Sequence, residues 1–216
     1  MKPLIRVPAW LAGVVQSGPD LALAGAFLVT WLRPGTFGPL AVKHLVLVML
    51  LEFIVIHSSG FMGVVTLSAG SAVRRVLVIL GLGLLYSLFT GAFSLAFHTS
   101  WPFVSFWVLT ANRMLGVIVS PVADLKEANV VMAGWALSVV SYLGCCFLTV
   151  LVPMPRLGIT PEVVTRQAFS GSGLWIDRPH TAIAFGTFYF LAVGLGELLL
   201  LGRTVPADRA RRNQRA

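Results

Sequence analysis

The chain has 216 residues, of which 57% are apolar and only 11% charged, with a mean hydropathy of +0.88. A soluble domain carries about 25% charged residues, so these values exclude a water-soluble globule and make the lipid bilayer the first partner. The net charge of +8 points to nucleic acid only in a soluble protein. Here the basic residues flank apolar segments or lie in the last fourteen positions, so no nucleic acid is expected.

Near the N-terminus, Ala9 to Val15 and Leu21 to Leu32 are both apolar but are separated by Gln16-Ser17-Gly18-Pro19-Asp20. Ser17 predicts a helix cap with a restart near Pro19. Leu21 to Leu32 alone makes only about 18 Å of helix, less than the ~30 Å hydrocarbon core. A crossing therefore needs the helix to run through that break or past Arg33. Lys2 and Arg6 before the short apolar run, with Ala22-Leu23-Ala24 beyond it, also imitate a signal peptide.

Five further runs are long enough to span: His44 to Leu67, Val76 to His98, Trp101 to Val122, Val130 to Val152 and Thr181 to Leu201. The fold class expected is all-α: a single-domain polytopic transmembrane helix bundle of six spans, or five plus an interfacial N-terminal helix. Charge chooses the topology. With six spans and the N-terminus inside, ten basic residues are cytoplasmic (Lys2, Arg6, Arg74, Arg75, Lys126, Arg203, Arg209, Arg211, Arg212, Arg215) and five are external (Arg33, Lys43, Arg156, Arg166, Arg178). If the first segment fails to cross, the bias shrinks to eight against seven. The basic-residue rule therefore favours both termini cytoplasmic, residues 153–180 as an external loop and 203–216 as a basic cytoplasmic tail. In that loop, Thr160-Pro161-Glu162 predicts a short helix with Val163, Val164 and Phe169 on its apolar face, ended by Ser170-Gly171-Ser172-Gly173.

Ionisable residues inside spans are functional candidates, because hydrocarbon penalises each by about 2.5 kcal/mol or more. Glu52, His57, Arg113 and Glu197 are of this kind, and Asn112 stands beside Arg113. At ~1.5 Å per residue from the outer end of each span, Glu52 lies about 12 Å deep, Arg113 about 18 Å, His57 about 20 Å and Glu197 about 24 Å. Arg113 thus falls between the two carboxylates, which predicts that it pairs with one of them. The pair would serve as a structural lock between helices or as a titrating site for a coupling ion.

The other histidines form a second pattern. His44, His98 and His180 all fall at the outer interface under the six-span topology. Three imidazoles at one depth are an expected set for copper, zinc or haem iron, although no H-x-x-x-H or E-x-x-H spacing supports it. The alternative is that they are interfacial residues beside Trp. Ser94-Leu95-Ala96-Phe97-His98 followed by Trp101-Pro102-Phe103 resembles the small-x-x-x-His-then-Trp pattern by which bacterial light-harvesting polypeptides hold a chlorophyll magnesium. It covers ten of 216 residues, and those polypeptides have one span, not six.

No G-x-S-x-G, H-E-x-x-H, phosphate-binding loop or dinucleotide fingerprint is present. Cys145 and Cys146 are adjacent, a geometry poorly suited to a disulfide between them. What the sequence does offer is packing surface: Gly83, Ser87 and Gly91 at four-residue intervals, and Gly186 and Gly194, whose spacing lets helix backbones approach closely. The leading expectation is a non-catalytic subunit or assembly partner of a larger membrane complex, whose partners are other subunits or further copies of itself. The alternatives are a small oligomeric ion- or proton-coupled transporter using Glu52, Arg113 and Glu197, and a metal or haem protein using the outer histidines.

Overall fold

The structure is a computed structural model that describes residues 9–68, 70–119 and 125–213, with side chains described for 14, 17–68, 70–119 and 128–199. The described residues are helical, with no strand. They form α1 (Ala9–Leu32), α2 (Ala41–Leu67), α3 (Ala72–Ala96), α4 (Trp101–Val119), α5 (Leu125–Leu151), the short α6 (Pro161–Arg166) and α7 (Leu174–Asp177), and α8 (Pro179–Asn213). Five of these, α2 to α5 and the first part of α8, are long and apolar enough to cross a bilayer. The chain is an α-helical polytopic bundle.

The N-terminal segment differs from the sequence expectation. Ser17 does not cap a restart: one helix runs from Ala9 to Leu32 with Pro19 inside it, and Ser17 is buried within that helix. Proline removes one amide from the ladder but fits where neighbouring helices hold the rest of the turn in place. Here the neighbour is α8. A methyl group on Gly194 would come within 2.8 Å of Leu21, and one on Gly186 would run into the Phe27 ring. Leu21 therefore lies opposite the later glycine and Phe27 opposite the earlier one, so α1 and α8 are antiparallel. Phe27 and Trp31 are buried, at 0% and 5% exposure. From Leu21 to Trp31 the helix packs along α8.

Two cores share one helix. The first joins α1, α2, α5 and α8 through Phe27, Val46, Met49, Tyr142, Phe185 and Tyr189. The second joins α2, α3 and α4 through Leu51, Ile54, Met62, Ile79, Tyr86 and Phe106. Apolar on every side, α2 is the helix expected between two packed groups. In the second group the close approach occurs at Gly83, where an added methyl would lie 3.1 Å from Thr110 Cγ2. Gly91, by contrast, has nothing within 4 Å of an added methyl, so only part of the four-residue stripe is used for packing.

The segment between α5 and α8 closes one end of the bundle. Trp31 Nε1 donates to Pro155 O at 2.9 Å, and Gly158 N donates to Trp31 O at 2.9 Å. Gln167 is buried; its Oε1 accepts from Lys43 N at 3.0 Å and its Nε2 donates to Pro39 O at 2.9 Å. Ser170 Oγ donates to Ala96 O at 2.6 Å. The end of α1, the start of α2 and the end of α3 therefore lie on the same side as this segment. The α6 helix starts where the sequence predicts, with Thr160 Oγ1 accepting from Val163 N at 3.5 Å and proline in the first turn. It ends at Arg166, before the Ser-Gly run, and Val163, Val164 and Phe169 face the first core.

Candidate functional site

The polar residues at membrane depth do not form one site. Glu52, partly buried on α2, accepts a hydrogen bond from Tyr189 Oη of α8 at 2.7 Å. Tyr189 is 1% exposed and packs edge-on against Tyr142 of α5, ring centroids 5.4 Å apart. Asp20 of α1 lies close enough to act electrostatically on both Glu52 and Glu197. Glu197 is partly buried near the far end of the span, and its Oε2 is buried with no hydrogen-bond partner among the described residues. The two carboxylates thus look toward the same α1–α8 seam. Sequence reading missed Asp20, placed in a loop by the assumed break, and Tyr189, a tyrosine with no distinguishing motif.

The expected pairing of Arg113 with Glu52 or Glu197 is not what the structure shows. The Arg113 guanidinium, half-buried on α4, donates to Ser59 Oγ and, at 3.6 Å, to Met62 Sδ, both on α2. Ser59 in turn donates to Val55 O. Seven residues separate Ser59 from Glu52, about 10 Å along a helix. Cα depth alone placed Arg113 beside the carboxylates, but a long side chain reaches its partner well away from its own Cα, and here it reaches further down α2. Asn112, next in sequence, is exposed.

His57 is exposed, and its Nδ1 lies 2.8 Å from Tyr86 Oη of α3. Its ring stacks on Phe53 (5.8 Å, 14°) and meets Phe61 edge-on at 5.4 Å. Beside it a cavity of about 170 Å³ opens between α2 and α5, walled by Phe53 and His57 on one side and Trp135, Val139, Tyr142 and Leu143 on the other. Both other polar lining groups are engaged: Trp135 Nε1 donates to Ile56 O at 3.0 Å, and Tyr142 Oη donates to Met49 O at 3.1 Å.

The outer histidines do not converge on a metal. His44 and His98 are exposed and His180 is buried, and among the described residues no group of three or more His, Cys, Asp or Glu stands together as a metal site requires. His98 has a backbone role instead. It sits at φ 53° just past the end of α3, where His98 N donates to Leu95 O at 3.3 Å and Thr99 N to Ser94 O at 2.9 Å. This is the paired-bond C-terminal cap that normally recruits glycine.

Of the packing residues, Gly186 and Gly194 meet α1 and Gly83 meets α4, while Ser87 Oγ folds back onto Gly83 O at 2.8 Å. Two glycines not anticipated for packing do the same: Gly60 faces Trp135, and Gly196 faces Leu137, so that α5 seats on α2 and α8. No family model, no curated protein and no solved structure matches this chain.

Proposed function

We propose that this protein is a non-catalytic integral-membrane subunit whose work is to dock other membrane helices, either further copies of itself or different subunits. The observation that carries this reading is Asn112. It is the twelfth residue of the nineteen in α4, about 16 Å from the start of the helix at 1.5 Å per residue, and it is exposed among exposed Val108, Leu109 and Leu115. A bare carboxamide in hydrocarbon forfeits hydrogen bonds worth several kcal/mol. A single amide in an otherwise apolar helix face is also a known device for fixing which helix binds and in what register. In this proposal both termini are cytoplasmic and the 153–180 segment is external, as the ten-to-five charge count favours.

Native mass spectrometry of the protein released from membranes in mild detergent tests the reading. Wild type is expected as an oligomer or a hetero-complex, and Asn112→Leu, which folds more easily in lipid, is expected to fall to the single chain. A monomeric wild type with an indistinguishable variant refutes it. A second reading, proton- or cation-coupled transport, is favoured by one feature: Asp20 lies close enough to act on both Glu52 and Glu197 while Arg113 is engaged with Ser59, so a mobile cation would be the counter-charge the carboxylates share. Proteoliposomes in which Glu52→Gln and wild type take up protons at equal rates would remove that alternative.

A further inference from the structure

We infer that the partner of the α4 face is a second copy of this chain, docked through parallel α4 helices whose two Asn112 amides hydrogen-bond to each other. The inference rests on the docking role proposed above and names its partner. It begins with position around the helix. The inner side of α4 is fixed by Phe106, Thr110 and Val117, all buried, with Thr110 against Gly83 of α3, and by the Arg113 guanidinium reaching α2. At about 100° per residue, Asn112 stands about 160° round the helix from Thr110. On its side lie Val108, Leu115 and Val119, all exposed, and the partly buried Trp101 and Ser105. Positions 101, 105, 108, 112, 115 and 119 follow one another in alternating steps of four and three, the spacing of a coiled-coil seam. Gly116, one turn beyond Asn112, has nothing within 4 Å of an added methyl, so a neighbouring backbone can come close beside the amide.

Depth and chemistry then select the partner. Under the topology proposed above, the basic-residue bias inserts every copy the same way round. Two copies related by a two-fold axis along the membrane normal therefore present α4 helices that run parallel, each residue opposite its counterpart at the same depth. A residue that meets itself must be self-complementary. A carboxamide is, because its NH2 group donates and its oxygen accepts, whereas two carboxylates or two guanidiniums would repel. A different subunit would need a polar group of its own at the depth of Asn112; a second copy supplies one by symmetry. The rest of the seam agrees, since Trp101, Ser105, Val108, Leu115 and Val119 carry no charge and ask for no opposite charge on a partner. Val108 and Leu115, on either side of the amide, pack on their counterparts and keep lipid from the polar pair, and one polar residue in such a seam fixes register and the number of strands.

The test uses the purified full chain alone in lipid vesicles, so that no other subunit is present, with donor and acceptor fluorophores on separate copies. Wild type is expected to transfer energy between copies and to dissociate as lipid is added. Asn112→Leu should dissociate at about tenfold less lipid, the loss of one interhelical hydrogen bond, and Asn112→Gln, which keeps the amide, should recover part of the affinity. In a chain with Cys145→Ala and Cys146→Ala, single cysteines at Val108→Cys and Leu115→Cys should join two copies by a disulfide under copper-phenanthroline oxidation. Ala111→Cys and Ile118→Cys, equally exposed but off the seam, should not. If the cysteine-free chain misfolds, the energy-transfer series at Asn112 decides alone. A chain that stays single in these vesicles, while native membranes yield an Asn112-dependent hetero-complex, would overturn the second-copy assignment and leave the docking role standing. A single chain in both would refute the two together. Equal dissociation of wild type and Asn112→Leu, or disulfides at Ala111→Cys and Ile118→Cys in place of the seam positions, would overturn the inference by putting the contact on another face.

Discussion

Gly186→Ala is the substitution whose cost is best fixed by the geometry. A methyl at this position would overlap three atoms of the Phe27 ring, and that ring is fully buried and braced by Phe190 with centroids 5.5 Å apart. Either the ring leaves its rotamer or α1 and α8 separate, and overpacking of this kind costs about 3 kcal/mol at its upper end. Alanine recovers about 1 kcal/mol through helix propensity, leaving a net loss of about 2 kcal/mol. For a chain of this size that corresponds to a fall in Tm of about 4–8 °C, measurable by thermal unfolding in detergent or nanodiscs. Gly91→Ala is the matched control, since nothing lies within 4 Å of its added methyl; it should be neutral or gain up to about 1 kcal/mol. Phe27→Leu combined with Gly186→Ala should lose less than the sum of the two single changes, because the smaller side chain vacates the space the methyl needs. If Gly186→Ala melts with Gly91→Ala, the antiparallel α1–α8 contact is misplaced and the reasoning fails.

Two further outcomes follow from backbone and charge at the loop end of the bundle. His98→Gly should stabilise the protein by about 1 kcal/mol, because φ 53° strains any residue with a Cβ; a lower Tm would show that the imidazole holds a contact of its own. Glu162 is fully exposed, and its carboxyl is held below the ordinary value of 4.5 first by the Thr160 hydroxyl, then by its own backbone amide and by Arg166. A depressed folded-state value means that its contribution to α6 is complete above about pH 4.5 and is lost as pH falls toward the folded value. Amide protection at Val163 and Val164, corrected for intrinsic exchange, should fall over that window in wild type but stay flat in Glu162→Gln.

Most of the helical architecture is legible in the sequence because hydrocarbon demands it. Twenty apolar residues in a row must be helical when no water is available for their amides, and the boundaries of α2 to α5 and the start of α8 lie within about five residues of the apolar runs, while α8 continues to Asn213, past the run's end at Leu201. The N-terminal break was misread because Ser-Gly-Pro is punctuation in water, where a freed amide is solvated. Against α8 the same residues pass through one helix. The site was less legible. Glu52, His57 and Arg113 announce themselves as charges or imidazoles in lipid, but their partners Tyr189, Tyr86 and Ser59 are ordinary span residues on other helices. Which face meets which depends on glycine positions such as Gly60 and Gly196, whose close neighbours Trp135 and Leu137 come from distant sequence. Depth along one helix is a single coordinate, and partner choice needs the azimuth as well.

The division into two cores bears on what the exposed surface means. Because α5 packs on α8 and α2 while α3 and α4 pack with α2, α2 forms the floor of a groove between α3 and α5, and α4 keeps an outward face. In water, the many exposed leucines, valines and phenylalanines on these helices would by themselves demand a partner. In a bilayer they do not, since lipid tails are as apolar as leucine and give helices no hydrophobic reason to associate. Only groups that lipid cannot satisfy carry information about occupancy. On that criterion the outward apolar area of α5 drops out of the argument, and the comparison falls on two exposed polar residues, Asn112 on α4 and His57 in the groove. They differ in what they ask for. An amide with donors and acceptors on an open helix face is matched by another helix, whereas the His57 imidazole already has a partner within the chain, Tyr86 Oη at 2.8 Å. The two positions therefore separate experimentally: Asn112→Leu should change the mass of the assembly, and His57→Leu, whose partner lies within the chain, should leave it unchanged.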